Sequence, residues 1–326
     1  MYKFTGSFDF NSIRTGNALI PLYIKNIVFI FARVGFGTKA GIIPFHIWLP
    51  AAHPAAPSHV SGLMSGVMIK TGIYMMIIIF IDMLYPVPVW WGLAILVAGS
   101  ISALLGVLYA LAERDIKQLL AYSSIENIGI ILIGIGSALT FLSLDMPSFA
   151  LIGLVAALFH TLNHAVFKSV LFLSAGSVIN QTHTGNMEEH GGLIKYMPYT
   201  ALFFLVGSAA ISALPPFNGF FSEWLIFQSL FKGMTVIDFS AKWIFMASAG
   251  VLAFTGGLAL ACFTKAFGAV FLARPRGSEI RYTKESAISL RIGMAGLAVT
   301  AIVLGVFSER VVSLIDSAAR SLSVFR

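Results

Sequence analysis

The chain has 326 residues, of which 58% are hydrophobic and 11% charged, and its mean hydropathy is +0.88. This composition excludes a large soluble domain and is typical of a helical protein that crosses a membrane several times. The net charge of +7 does not indicate a nucleic-acid-binding protein, because the basic residues are scattered at helix ends and in short loops. The single cysteine, Cys262, excludes an internal disulfide, a CxxC iron–sulfur or zinc site and a cysteine-bound nickel centre. No cofactor is therefore predicted in this chain.

Apolar runs predict an all-α polytopic membrane protein with eight membrane segments in one transmembrane domain, residues 25–308. A polar N-terminal segment, residues 1–24, and a short C-terminal tail, residues 309–326, are expected outside that domain. The N-terminal segment lacks the basic and apolar regions of a signal peptide. The eight predicted segments are 25–49, 58–82, 89–111, 118–142, 149–180, 198–231, 243–272 and 287–308.

Two of these segments are predicted to be discontinuous. The first contains GFGTKAGIIPFHIWLP, with Pro44 inside an apolar run, and the sixth contains SALPPFNGFFSEW, with Pro215 and Pro216. Proline removes a helical hydrogen-bond donor and clashes with the preceding turn, so both helices should open within the membrane. Each break lies beside an ionisable residue, Lys39 or Glu223. Paired breaks of this kind are typical of transporters built from repeated units, although a proline break alone is often an ordinary kink.

The helix that follows each break carries a lysine. Lys70 lies in GVMIKTGIY and is predicted to be buried, whereas Lys265 lies in ACFTKAFG, within two turns of its helix end. A lysine near a helix end can extend its ammonium group to the membrane interface. We therefore expect a functional role for Lys70 and an interfacial role for Lys265.

Three ionisable residues are spaced four apart in the apolar run 149–180: His160, His164 and Lys168. In a helix they form a stripe about 12 Å long on one face. A charged group at bilayer depth is costly and usually faces a protein interior or a wet cavity that serves ion movement. The stripe therefore predicts proton transfer through side chains and water. The alternatives are a structural histidine that only bonds a neighbouring helix, and haem ligation, which needs paired histidines on facing helices.

Further charged residues lie near the start of the fourth segment. We expect a solvated helix junction at Arg114, Asp115 and Lys117, and Lys117 is a candidate entrance for protons. Glu126 falls about two turns inside the next predicted helix, where a carboxylate is costly unless it is paired. The sequence supports a functional role and a structural role for it equally. Three further histidines are expected to have surface or helix-cap roles rather than relay roles: His46, His53 and His59.

The loop charges predict an orientation. The loops 112–118, 181–197 and 273–286 share one side and carry most of the loop lysine and arginine residues, so the positive-inside rule assigns them to the cytoplasm and both termini to the outside. The tails weaken this count, because their basic residues fall on the outer side. The inner loops carry Arg114, Lys117, Lys195, Arg274, Arg276, Arg281 and Lys284, the outer loops carry Lys232 and Lys242, and the tails carry Lys3, Arg14, Lys25, Arg310, Arg320 and Arg326.

Four stretches carry a family resemblance that spans nearly the whole chain in the right order. TKAGIIPFHIWLPAAHPAAPSHVSGLMSGVMIKTGIY, ERDIKQLLAYSSIENIGI, HTLNHAVFKSVLFLSAGSV and LPPFNGFFSEWLIFQSLF resemble the antiporter-like subunits of complex I, of membrane-bound hydrogenases and of Mrp-type antiporters. Within that superfamily, the chain is most similar to the large subunits of hydrogenase-4 and formate hydrogenlyase complexes. Glu126 in SSIENIG favours this subgroup.

The resemblance implies roles for individual residues. Lys39 matches a lysine of a broken helix that pairs with a carboxylate, and Lys70 matches a lysine that links two half-channels. His160, His164 and Lys168 match a central polar axis, and Glu223 matches the ionisable residue at the exit; the implied proton relay is Lys39, Lys70, Glu126, His160, His164, Lys168 and Glu223. Partner subunits are expected to hold nickel–iron and iron–sulfur centres.

The resemblance also implies that only part of the two-repeat family fold is present. Residues 25–82 match the last two helices of the first repeat, residues 89–272 match the second repeat, and residues 287–308 match a final helix. The carboxylate partner of Lys39 would lie in the absent part. Three explanations remain open: a truncated longer subunit, a split subunit whose other half is a separate chain, and a true half-size subunit.

Together these patterns predict a proton-translocating subunit of a hydrogenase-type, complex I-like membrane assembly. The ion is H⁺ or Na⁺, and energy comes from redox chemistry in other subunits. The chain itself makes and breaks no bond in a substrate. The alternatives are a non-conducting membrane anchor for a hydrogenase or quinone-reacting module, and a haem-bearing electron carrier.

Overall fold

A computed structural model describes residues 2–272, 274–277, 280 and 282–325, without the side chains of residues 239 and 240. Two residues of the charge count, Arg281 and Arg326, lie outside this part. Within it, the ordered backbone is helical apart from one isolated bridge between Asp115 and Asn186. The helices are α1 (Tyr2–Thr5), α2 (Phe10–Thr15), α3 (Leu22–Ala40), α4 (Trp48–Ala55), α5 (Ser58–Leu63), α6 (Ile69–Ile77), α7 (Val89–Ala112), α8 (Ile116–Ser143), α9 (Pro147–Thr182), α10 (Pro198–Ile211), α11 (Asn218–Val236), α12 (Phe239–Phe267), α13 (Ile288–Val306) and α14 (Ser308–Ala319).

Six helices of the described part are long and apolar enough to cross a membrane. The two further predicted segments, 25–49 and 198–231, are the ones that the structure breaks into shorter helices. The prediction of eight segments is therefore only roughly met, although the all-helical membrane class is confirmed. The six helices are Ser58–Met83, Val89–Ala112, Ile116–Ser143, Pro147–Thr182, Ala241–Leu272 and Ile288–Val306.

The first break separates α3 from α4. Helix α3 ends at Gly41, which has φ +78°, a left-handed conformation that glycine adopts without strain. Pro44 lies in the turn that follows, and the indole nitrogen of Trp48 donates back to the Thr38 carbonyl oxygen at 2.7 Å. The expected discontinuity near Pro44 is therefore confirmed.

The second break separates α10 from α11. Pro215 and Pro216 lie in the non-helical connection 212–217, as expected. Two glycines allow this connection to be tightly enclosed. A Cβ on Gly219 would lie 1.9 Å from the Ala210 carbonyl oxygen, and one on Gly305 would lie 2.1 Å from the Pro216 carbonyl oxygen. The end of α13 thus packs directly against the break.

The bundle is built around α8 and α9. The apolar stretch of α8 is fully buried within the protein, and α7 lies along it at very short range. Gly92, Gly99 and Gly106 recur every seven residues on α7, and Gly129 and Gly136 do so on α8. A Cβ on Gly129 would lie 2.3 Å from the Ala103 backbone nitrogen. These glycines bring the two helices into backbone contact, as small residues do in membrane bundles.

Helices α5 and α6 form one continuous helix, Ser58–Met83, with two π-helical turns. The turns span Met64–Met68, just before Lys70, and Ile78–Met83. A π turn replaces the regular i→i−4 hydrogen bonds by longer i→i−5 bonds and is frequent at functional sites. The lysine of this helix therefore follows directly after an irregular turn.

The predicted tail 309–326 contains a helix, α14, that packs against α9. Beyond it, the Ser323 backbone nitrogen donates to Asp82 Oδ1 at 2.8 Å, and the Ser323 hydroxyl donates to the Asp82 carbonyl oxygen at 3.0 Å. The Arg14 guanidinium forms an ion pair with the other oxygen of the same carboxylate. Asp82 thus ties both ends of the described chain to the end of the helix that carries Lys70.

We expect Asp82→Ala to lower the free energy of unfolding by about 2 kcal/mol, because it removes charge-assisted hydrogen bonds from a buried carboxylate. Asp316→Ala is the matched control: it removes only the exposed pair with Arg320, which is expected to contribute less than about 0.5 kcal/mol. Thermal unfolding of the purified protein measures both. Equal effects of the two substitutions would show that the hydrogen bonds of Asp82 to the two ends of the chain do not stabilise the fold.

Candidate functional site

Lys70 and His164 meet in the centre of the bundle. The Lys70 ammonium group is hydrogen-bonded to His164 Nδ1 and donates to the carbonyl oxygen of Ser65, a residue of the π turn. His164 is fully buried and Lys70 is 8% exposed. The lysine of one predicted helix and the histidine of another are therefore in direct contact away from lipid. Such a pair can exchange a proton along its hydrogen bond.

His160 lies one turn before His164 and uses both of its ring nitrogens. Its Nε2 lies 3.1 Å from Asn127 Oδ1 on α8, and its Nδ1 lies 3.0 Å from Ser222 Oγ on α11. The ring therefore bridges two helices with hydroxyl and amide partners. No ring nitrogen of His160 is left to ligate a haem iron, which argues against the haem alternative for this residue.

Lys168 is fully buried, and within the described part of the chain its ammonium group is hydrogen-bonded to a carbonyl oxygen and a hydroxyl group. Its ammonium nitrogen lies 2.8 Å from the Leu120 carbonyl oxygen and 2.5 Å from the Ser123 hydroxyl. The neighbouring Ser124 hydroxyl lies 2.8 Å from the Ser65 hydroxyl, on the same residue whose carbonyl oxygen binds Lys70. Two adjacent serines of α8 therefore lie between the two buried lysines.

Glu126 lies one turn beyond those serines and is 1% exposed. One of its carboxyl oxygens, Oε2, has no hydrogen-bond partner among the residues that the structure describes, and the residue interacts electrostatically with Lys168 and with Glu223. The close packing of α7 holds it in place, because a Cβ on Gly106 would lie 2.5 Å from the Glu126 backbone nitrogen. Glu126 is thus a buried acid beside a buried base.

Glu223 lies in the second turn of α11, seven residues after Pro216. It is 7% exposed and lines a cavity of about 400 Å³ that it shares with Ser212. Its neighbour Ser222 contacts His160, so the start of α11 lies against the histidines and lysine of α9. Glu223 forms no hydrogen bond or ion pair through its carboxylate in the described part of the chain.

Lys39 does not join the other predicted residues. It lies in the last turn of α3, its side chain is exposed, and it makes no hydrogen bond within the described chain. Exposed apolar residues surround it on the same helix, among them Phe31 and Val34. The described part of the chain therefore brings no polar partner to this lysine.

Lys117 and Lys265 both bind backbone carbonyl oxygens. Lys117 Nζ donates to the Ala56 carbonyl oxygen at 2.7 Å and lines a cavity of about 370 Å³ with His59 and Asn180. Lys265 Nζ donates to the Leu111 and Glu113 carbonyl oxygens, at 2.6 and 2.8 Å, so it caps the end of α7. The neighbouring Asp115 caps α8 by accepting from the backbone nitrogen of Lys117 at 2.8 Å.

The expectation of a surface or cap role for His53 is wrong. Its side chain is fully buried, its ring stacks on Phe172 with 4.7 Å between the ring centroids, and neither ring nitrogen has a hydrogen-bond partner among the described residues. It interacts electrostatically with Lys168, Lys117 and Lys70. The proline-containing sequence around it, AAHPAAPSH, resembles a loop, whereas packing against α9 encloses the ring. His59, by contrast, is exposed, and His46 is half-buried.

Sequence reasoning missed the neutral polar partners. The neutral residues that contact the buried histidines and lysines are Ser65, Ser123, Asn127 and Ser222, and Ser124 contacts Ser65. The only available signal was their presence in apolar helices, where polar residues tend to be functional. Among the described residues, no group of three or more His, Cys, Asp or Glu side chains is arranged to hold a metal ion.

Residues 1–254 match the family described as "NADH:quinone oxidoreductase/Mrp antiporter, TM". The chain belongs to this family. It is therefore a multi-pass membrane protein related to subunits of hydrogenase, complex I and Mrp-type assemblies, as the four sequence stretches indicate.

Two relatives and one solved structure illustrate the match. The chain is 48% identical over 306 residues to hydrogenase-4 component B of Escherichia coli, covering 93% of this chain and 45% of that protein. It is 40% identical to formate hydrogenlyase subunit 3 of the same organism, covering 96% of this chain and 51% of that protein. It therefore spans about half the length of these curated relatives. The fold matches a chain of respiratory complex I from Thermus thermophilus, with a TM-score of 0.80 at 23% identity, covering 100% of this chain and 64% of that one.

Proposed function

We propose that this chain moves protons across the membrane as an antiporter-like subunit of a hydrogenase-type, complex I-like assembly. The contact between Lys70 and His164 carries the proposal, because it joins two ionisable groups inside the bundle. With these two residues we group four others into one buried row: His160, Lys168, Glu126 and Glu223. On the side of the loop 112–118, the proposed path continues through His53 and Lys117. Redox chemistry in partner subunits with nickel–iron and iron–sulfur centres supplies the energy.

Electrostatics supports a proton relay in this row. Lys70 is enclosed and hydrogen-bonded to the Ser65 carbonyl oxygen and to His164, and Lys168 is enclosed and hydrogen-bonded to a carbonyl oxygen and a hydroxyl group. Neither ammonium group has a carboxylate hydrogen-bond partner in the described part of the chain, so two simultaneous positive charges would repel each other with little screening. Protonation of one lysine therefore disfavours protonation of the other. A conformational or electrostatic change that reaches one site can in this way release a proton from the next.

Neutral hydroxyl groups support transfer between the charged sites. The Ser123 and Ser124 hydroxyls lie between Lys168 and Lys70, and a hydroxyl can donate one hydrogen bond while it accepts another. On α11, the Ser222 hydroxyl can likewise pass a hydrogen bond between His160 and the region of Glu223. We propose that protons enter beside Lys117 and leave beside Glu223, with the loops 112–118, 181–197 and 273–286 in the cytoplasm and both termini outside.

Lys39 belongs to this proposal as the point where a further membrane segment docks. Its exposed ammonium group lies among apolar residues, where a charge is costly unless it is paired, so we propose a polar or acidic partner for it. A separate chain or a further part of the same protein would provide it, as the family resemblance implies. The ion is H⁺ in this account, and Na⁺ is the alternative cation for the same acidic and hydroxyl groups.

Replacing Lys70 by methionine tests the proposal, because methionine keeps a long side chain and removes the ammonium group. We expect Lys70→Met to reduce proton movement by the reconstituted assembly by at least about a hundredfold while electron transfer continues. A pH-sensitive dye in sealed vesicles records the movement. Lys265→Met, which removes a lysine that only caps α7, is the control and should retain it. Unchanged proton movement in Lys70→Met would contradict the proposal.

The second candidate is a membrane anchor that conducts nothing. The position of Lys39 favours the anchor, because Lys39 is a member of the implied relay and contacts no other member of it in the described part of the chain. For an anchor, we expect the assembly to depend on the chain while proton movement is insensitive to Lys70→Met, Lys168→Ala and Glu223→Ala alike.

A further inference from the structure

The cavity beside Glu223 is lined mainly by apolar side chains. Its walls come from α11, α12 and the start of the connection 212–217, and its volume is about 400 Å³, within the range of about 300 to 1,000 Å³ that small organic ligands occupy in proteins. Trp224 lies at its edge with half of its surface exposed. The walls that the ligand would contact include Phe220, Trp224, Phe227, Leu252, Gly256 and Gly257.

One charged group faces this apolar space. Glu223 is 7% exposed, and its carboxylate has no hydrogen bond or ion pair in the described part of the chain. The Ser212 hydroxyl, which lines the same cavity, is buried and has no hydrogen-bond partner either. An ionised carboxylate in such surroundings is costly unless a cation or a proton accompanies it.

The opposite wall is formed by small residues of α12. A Cβ on Gly256 would lie 3.8 Å from Glu223 Oε2, and a Cβ on Gly257 would meet nothing within 4 Å. The absence of side chains here leaves space directly in front of the carboxylate. Aromatic rings on α11 line the rest, and aromatic faces attract organic cations.

We infer that this cavity binds a lipophilic organic cation, a protonated amine or guanidine with a compact apolar body. The cationic group contacts Glu223 and Ser212, and the apolar body packs between the aromatic rings of α11 and the small residues of α12. Binding depends on the cavity and its carboxylate alone. Inhibition of transport by such a ligand is a separate consequence that rests on the proposed function.

Labelling of Glu223 with N,N′-dicyclohexylcarbodiimide tests the inference without any measurement of transport. The carboxylic acid gives its proton to one carbodiimide nitrogen and its oxygen bonds to the central carbon; the acyl group then migrates to the other nitrogen. The whole reagent is added and nothing leaves, so peptide mass spectrometry locates the product. The assembled protein in lipid nanodiscs is labelled with or without 3-phenylpropylguanidinium or its neutral analogue 3-phenylpropylurea.

We expect the guanidinium compound to slow labelling of Glu223 at least about tenfold, and the urea compound to have little effect, because only the cation pairs with the carboxylate. Gly257→Leu fills the cavity and should prevent both labelling and protection. Gly250→Leu is the matched control, since its Cβ also meets nothing within 4 Å and it lies away from the cavity on the same helix.

Three results would overturn the inference: no labelling of Glu223 in the unmodified protein, equal protection by the two compounds, or unchanged labelling in Gly257→Leu. Each would mean that the cavity does not admit or does not select an organic cation. Failure of the proposed function has a different outcome, because labelling and protection would persist in an assembly that moves no protons.

Discussion

Lys168→Ala is expected to reduce electron-transfer-driven proton movement by at least about a hundredfold, because it removes the one ammonium group between the Ser123 hydroxyl and Glu126. The fold should tolerate the change. Leu120 and Ser123 keep their own helical bonds, and the space left behind is enclosed by α8 and α9. The measurement is proton uptake in sealed vesicles, with electron transfer recorded in the same sample.

Lys232→Ala is the control for this experiment. Lys232 is an exposed lysine of α11 whose ammonium group lies 5.8 Å from the Phe149 ring centroid, and it contacts no member of the buried row. We expect full proton movement in that variant. Equal loss in both variants would show that the effect of Lys168→Ala reflects general damage rather than an interrupted relay.

Gly129→Val is expected to destabilise the protein by more than about 3 kcal/mol, because a new side chain would overlap backbone atoms of α7. Its Cβ would lie 2.3 Å from the Ala103 nitrogen and 2.6 Å from the Gly99 carbonyl oxygen. Backbone atoms of a packed helix cannot rotate away as a side chain can. The variant should be lost from the folded fraction in size-exclusion chromatography and unfold at a much lower temperature.

Gly293→Val on α13 is the matched control, since a Cβ there meets nothing within 4 Å. It makes the same substitution in a membrane helix and should retain nearly full stability. If Gly129→Val folded as well as Gly293→Val, the close approach of α7 to α8 would be incorrect. The packing that holds Glu126 beside Gly106 would then also be incorrect.

The membrane class and the two breaks could be predicted from local sequence. Runs of apolar residues indicate spanning helices by length alone, and Pro44, Pro215 and Pro216 remove donors that a continuous helix needs. Helix α14 was missed because its sequence, SERVVSLIDSAA, is polar on average and apolar on only one face. An amphipathic helix beside a membrane domain is therefore easily taken for a tail.

The contacts within the candidate site could not be predicted from periodicity. Lys70 and His164 lie 94 residues apart, and nothing in either helix specifies that they meet. His53 shows the opposite error, since a loop-like local sequence is buried by the distant Phe172. The seven-residue spacing of Gly92, Gly99 and Gly106 was a readable signal for the α7–α8 contact, because glycines at a regular interval form one helical face.

The most direct test of the proposed relay is the ratio of protons moved to electrons transferred in the assembled complex with Glu223→Ala. Glu223 is the acidic end of the row, and its removal leaves Lys70, His164 and Lys168 unchanged. We expect electron transfer to continue while the proton ratio falls by the share that passes through this chain. A ratio equal to that of the unmodified complex would show that Glu223 takes no part in proton movement.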